Sequence, residues 1–234
     1  MRKSLTIAIH QPDYIPWMGY FYKLAMVDKF VFLDAVQYPR GRRFANRNRI
    51  KTSNGVKYLT IPVSIPPGRD GKITYNEIQF ADSNWKLKHL RTLKMNYSRS
   101  PYFNEIYSMV ESVLNMDISF TEQNILLINS IADYLQIKTP VFRLSELLNN
   151  FGKKNYLIID ICKKLNADVY FSGTGGGREY NNEELLNQNN IQLKYSDFNH
   201  PVYPQLWGEF IPRLSILDLL FNCGPESRTY LIGE

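Results

Sequence analysis

His10, Gln11, Pro12 and Asp13 follow directly on a short apolar run, Leu5 to Ile9, and lead through Pro16 into an aromatic segment that begins at Trp17. Imidazole is the side chain whose ordinary pKa lies closest to neutral pH, and a nearby carboxylate can orient it or share its proton. His10 is therefore the candidate general base or acid, with Asp13 or Asp34 as its carboxylate partner. Pro12 and Pro16 hold the connection stiff, because each ring fixes a backbone angle. The alternative role is a histidine that only hydrogen-bonds the turn. His89 falls one helical turn from Trp85, a structural position, and His200 makes a weaker case than His10.

Two further segments could hold an anion. Arg40, Arg42, Arg43, Arg47, Arg49 and Lys51 crowd together with Phe44, Asn46 and Asn48 between them. Guanidinium groups bind phosphate in bidentate fashion and amides can fix sugar or base edges, so this stretch reads as an anion clamp or, more plainly, as a solvated basic loop. A small phosphorylated ligand suits it better than RNA, since the patch is short and no nucleic-acid motif accompanies it. The second segment, "SGTGGGREY", has the backbone freedom to cradle an anion on exposed amides through Gly173, Gly175 and Gly176. It is neither the dinucleotide fingerprint nor a P-loop. Three scattered histidines and two cysteines in apolar surroundings have no metal-ligand spacing, so no metal is expected.

The elements that must position these residues follow from periodicity. Leu5 to Ile9 is a strand, Trp17 to Ala25 repeats apolar residues at helical spacing, and Lys29 to Leu33 is a second strand, which together make a βαβ unit. Lys57 to Ile65 reads as a strand, "PPGRDGK" as an exposed turn and Ile73 to Phe80 as an edge strand. Three helices are expected over about 82–136. The α/β pattern then resumes with a strand at Thr139 to Arg143, a helix at Lys153 to Leu165 and a strand at Asp168 to Gly173. The segment "IQLKYSDF" is strand-like, and Leu214 to Asn222 is a helix stopped by Gly224 and Pro225. The expected fold class is α/β, with a mostly parallel Rossmann-like sheet forming a single domain over 1–234 and a helical insert or cap at about 82–136. Ligands of such sheets sit outside the carboxyl ends of the strands, where the loops at His10, Asp34 and Gly173 should share one rim.

The 234 residues can bury a sizeable core, and the aromatic share is 14%. A net charge of +6 favours an anionic partner such as a phosphorylated small molecule, although charge for solubility accounts for the same number. Two cysteines are too few for a disulfide scaffold, which suggests a reducing, cytoplasmic compartment. The amino-terminal apolar run is shorter than a signal-peptide core and no segment reaches the length of a membrane span, so membrane insertion is not expected.

Taken in order, "HQPDYIPWMGYFYKL", "DKFVFLDAVQY", "NRNRIK", "YLTIPV", "ADVYFSGTGG" and "LSILDLLFNCG" resemble the WbqC-like family of bacterial proteins over nearly the whole chain. The resemblance implies a setting in O-antigen and other surface-polysaccharide assembly, and transfer of glycine or a related aminoacyl group to an amino sugar. Its motif positions here are His10, Gln11, Pro12, Tyr14, Pro16, Trp17, Gly19, Asp34, Gln37, Asn46, Arg47, Lys51, Ser172, Gly173, Tyr180, Ser215, Asp218 and Gly224. Asp13 departs from the Asn of the family pattern, which weakens it as an acid relative to His10.

The expected activity is that of an N-acyl (aminoacyl, for example glycyl) transferase acting on a nucleotide-linked amino sugar. His10 would take the amine proton, Arg47 with Arg49 or Lys51 would hold the diphosphate, and the amides around Gly173 to Gly176 would hold the donor's anion or the oxyanion. Gln11, Tyr14, Trp17, Gln37, Asn46, Ser172 and Tyr180 complete the expected substrate contacts. An activated acyl donor is implied, either an ATP-activated amino acid or an aminoacyl donor such as aminoacyl-tRNA. Two alternatives stand beside this reading. One is a nucleotidylyl or adenylyl transferase, whose opening strand and histidine loop the first block resembles without the second histidine. The other is a noncatalytic subunit that binds a sugar nucleotide.

Overall fold

The computed structural model describes residues 4–39, 44–65, 69, 73–175 and 177–233. Along the chain the strands are β1 (Thr6–His10), β2 (Lys29–Phe32), β3 (Arg47–Thr52), β4 (Gly55–Thr60), β5 (Val63–Ser64), β6 (Gln79–Phe80), β7 (Val141–Arg143), β8 (Val169–Ser172) and β9 (Gln192–Tyr195). The helices of the first half are α1 (Met18–Ala25), α2 (Trp85–Tyr97), α3 (Phe103–Leu114) and α4 (Phe120–Tyr134). Those of the second half are α5 (Leu144–Leu147), α6 (Asn155–Leu165), α7 (Gly177–Tyr180), α8 (Glu183–Gln188), α9 (Ile216–Cys223) and α10 (Ser227–Ile232). The described residues group into two compact units, one drawn from 1–11, 22–35 and 138–199 and the other from 12–21, 36–137 and 200–234.

The first unit is built on a five-stranded sheet in the order β7-β2-β1-β8-β9, with every pairing parallel. Numbered by their appearance in the chain, these strands run 3-2-1-4-5, the Rossmann-type order, which reverses between β1 and β8. Near-continuous apolar runs suit strands covered on both faces, and Ile7, Ala8, Phe30, Val31 and Phe32 are fully buried. Carboxylates fix the start of the sheet, because Asp28 accepts the Thr6 amide and Asp168 the Leu5 amide, both at 2.8 Å. The carboxyl ends fall at His10, Phe32, Arg143, Ser172 and Tyr195.

The second unit holds the β3–β4 hairpin, the β5–β6 ladder and the helices α2, α3, α4, α9 and α10. Its core is aromatic, with Tyr14, Tyr75, Trp85, Tyr97, Phe120 and Phe221 almost wholly enclosed and Tyr97 stacked on Phe221 at 4.5 Å. The expected basic loop continues into strand β3 instead, in which Arg47, Arg49 and Lys51 alternate with the buried Asn48 and Ile50, and of the three cations only Lys51 is buried as well. The hairpin turns at Ser53 and Asn54, with Gly55 at φ 92, a left-handed conformation that needs no β-carbon. The strand expected over Lys57 to Ile65 divides at Ile61 and Pro62 into β4 and β5. Within the expected edge strand at Ile73 to Phe80, Tyr75–Glu77 forms a 3-10 turn ahead of β6. The Pro- and Gly-rich turn at 66–68 and 70–72 lies outside the described residues, as do Arg40, Arg42 and Arg43.

Candidate functional site

The strand order of the first unit reverses between β1 and β8, and parallel sheets of this kind take their ligands at such a position, outside the carboxyl ends of the strands. His10 ends β1, and Ser172, Gly173, Thr174 and Gly175 leave β8. The His10 ring is half-buried, with Nδ1 3.0 Å from the Gln11 carbonyl. A carbonyl only accepts, so Nδ1 carries the proton and the lone pair sits on Nε2. Burial pulls the imidazole down to a pKa of about 3, the Lys23 ammonium pushes the same way, and the bond to Gln11 opposes them in part. Lys23 is itself enclosed and donates to the Ile9 carbonyl at 3.1 Å. Sequence reasoning passed over this cation, whose signal was a lysine on the last turn of an otherwise apolar helix.

Ser172 is buried, accepting from Asn181 Nδ2 at 2.9 Å and donating to the Gly173 carbonyl at 3.3 Å. Beyond it the loop is open, since a β-carbon built on Gly173 or Gly175 would meet nothing within 4 Å. A ligand oxygen can therefore approach the amides closely. Gly176 lies outside the described residues. Arg178 places its guanidinium 5.5 Å from the centre of the Tyr195 ring at the end of β9, a second cation that sequence reasoning left out of the site. Tyr180 is exposed, and its carbonyl accepts from Asn155 at 2.9 Å. Asp34 follows β2 as a bracket, with one carboxylate oxygen accepting the Ser145 amide at 3.0 Å and the other the Ser145 hydroxyl at 2.6 Å. Both bonds tie the exit of β2 to the start of α5.

The remaining expected site residues belong to the second unit. Tyr14 is buried, its hydroxyl 2.9 Å from His89 Nδ1, and burial takes His89 down to a pKa of about 4. Burial, reinforced by the Asp13 charge, raises the phenols of Tyr20, Tyr38 and Tyr75 above their ordinary range. Trp17 is partly exposed and stacks at 6.5 Å on His200, while Gln37 bridges Thr74 through its backbone. The expected anion clamp engages protein groups. Arg47 lies 4.0 Å over the Tyr58 ring, Arg49 donates to the Arg213 carbonyl at 2.6 Å, and Asn46 donates to the Ile61 carbonyl at 2.9 Å. The Lys51 ammonium, fully buried, donates to Gln205 Oε1 at 3.1 Å and to the carbonyls of Gly208 and Glu209 at 3.2 and 2.5 Å. Among the described residues no group of three or more His, Cys, Asp or Glu is placed to share a metal ion.

The WbqC-like protein family matches residues 11–230 of the chain. The uncharacterized protein Rv1507c of Mycobacterium tuberculosis is 37% identical over 229 residues, spanning 96% of both chains. No solved structure matches. No helix among the described residues is long and apolar enough to cross a membrane.

Proposed function

The chain belongs to the WbqC-like protein family, and from that premise we propose that it transfers an activated aminoacyl group, for example glycyl, to the amine of a nucleotide-linked amino sugar in surface-polysaccharide assembly. The observation that carries this reading is the reversal of strand order between β1 and β8, with His10 at the carboxyl end of β1 and the uncrowded Gly173 and Gly175 just after that of β8. The amides and Arg178 receive the diphosphate. The sugar amine attacks the acyl carbonyl, the C–N bond forms as the bond to the donor's leaving oxygen breaks, and the amine proton passes to His10 Nε2 and on to that oxygen. The Nδ1–H bond to Gln11 supports this, because it holds the imidazole in the tautomer able to accept at Nε2. With a pKa of about 3 the free imidazole is a weak base, and a diphosphate bound beside it raises that pKa, so base strength is gained in the substrate complex. Asp34 is a positioning residue in this scheme.

The test is mass spectrometry of nucleotide-linked amino sugars incubated with the protein, ATP, Mg²⁺ and amino acids, or with aminoacyl-tRNA. An acylated sugar is expected, and its rate should drop by about 10²–10⁴ in His10→Gln with the fold intact. Release of pyrophosphate with no acylated sugar assigns a nucleotidylyl transferase instead, and ligand binding without turnover assigns a binding subunit.

A further inference from the structure

α2 buries Trp85, His89, Leu90, Leu93 and Tyr97. The helical repeat brings Leu87, Lys88, Arg91, Lys94 and Met95 to its opposite face, where all five are exposed. The side-chain charges from Trp85 to Arg99 are Lys86, Lys88, Arg91, Lys94 and Arg99, with no carboxylate among them. Lys88 meets the Asp82 carboxylate at 3.7 Å, and Lys86 donates to the Met116 carbonyl at 2.7 Å. The side chains of Arg91 and Lys94 have no ion-pair or hydrogen-bond partner among the described residues. Leu87 is 55% exposed and Met95 78%, so two large apolar side chains stand in the same stripe as the unpaired cations. With a rise of 1.5 Å per residue, Leu87 and Met95 lie about 12 Å apart along the axis, with Arg91 between them.

We propose that this face of α2 docks on an anionic lipid bilayer, with Lys88, Arg91 and Lys94 against headgroup phosphates and Leu87 and Met95 at the acyl boundary. The mixture on the face selects this occupant. A nucleic acid would take the cations through its phosphates but would leave Leu87 and Met95 against a charged backbone. A neutral apolar groove would take Leu87 and Met95 and leave Arg91 and Lys94 desolvated without counter-charge. Only the interface of an anionic membrane offers phosphate and hydrocarbon within the length of one short helix face. The proposal does not depend on the transferase reading.

Co-sedimentation of the full chain with phosphatidylcholine vesicles, with and without phosphatidylglycerol, tests it. Binding is expected to the anionic vesicles alone, and to weaken as salt rises. Each cation near the surface is worth about fivefold in partitioning, so R91Q/K94Q should lose about 25-fold. L87S/M95S should also weaken binding, and circular dichroism should be unchanged in both variants because all four side chains face water. Equal sedimentation with neutral vesicles, no sedimentation at all, or binding indifferent to R91Q/K94Q would overturn the proposal. Retention by transfer RNA that needs Arg91 and Lys94 but not Leu87 and Met95 would overturn it in favour of a nucleic-acid face.

Discussion

At the scale of single residues, the group on which the proposed chemistry depends, His10, differs in its bonding from groups that hold the chain in place. His10 sits at the carboxyl end of the central strand with its tautomer set by Gln11, whereas the Asp34 carboxylate is engaged by Ser145 through both oxygens. Three carboxy-terminal positions picked out by the family resemblance have structural roles. Ser215 caps α9 by accepting the Leu217 amide at 3.3 Å, Asp218 accepts the phenols of Tyr97 and Tyr203 at 2.7 and 3.0 Å, and Gly224 closes the helix. Gly224 has φ 52 and ψ −129, and a β-carbon there would stand 2.3 Å from the Tyr102 ring. Gly224→Ala therefore combines backbone strain with a clash, and should cost about 2–4 kcal/mol in urea denaturation.

At the scale of elements, β1, β2 and β8 were legible because each carries a short apolar run, and α1–α4, α6 and α9 because their buried residues recur at the helical period, whereas the short α5, α7, α8 and α10 were not foreseen. β3 was not legible, since "RNRIKT" reads as charge unless its alternation is weighed together with Asn54 and Gly55 after it, which signal a hairpin. That element changes the meaning of its cations. A basic loop offers its charges to a ligand, but a strand turns Lys51 into the protein, where it anchors the irregular segment around Gly208. Its three bonds join residues more than 150 positions apart in the chain, which no local pattern records. Lys51→Met would leave three acceptors without this donor, and chemical denaturation should register a loss of about 3 kcal/mol.

At the scale of the molecule, all three histidines have pKa values depressed chiefly by burial, His10 to about 3, His89 to about 4 and His200 below its ordinary value. A group whose folded pKa lies under its unfolded value near 6.5 adds stability that is full above that pH and is lost as the pH falls towards the folded value. The melting temperature should therefore fall steadily from pH 6.5 to about pH 4, and His89→Gln should flatten part of the decline. The strand order across the sheet was not readable from spacing alone, because β2 and β7 pair side by side although residues 33–140 separate them. Pairing across such a distance is decided by burial, and the reversal is made when β8, after β7, returns to pair with the other side of β1.

The central claim is that a nucleotide-linked amino sugar binds at that reversal, beside His10. Nitrogen NMR of the imidazole rings during titration with such a sugar tests it most directly, because the chain has only three histidines and the other two, His89 and His200, belong to the second unit. The account predicts that the His10 resonances shift on binding and that its pKa climbs from about 3, while those of His89 and His200 stay in place. Saturable binding that leaves the His10 ring unmoved would contradict it.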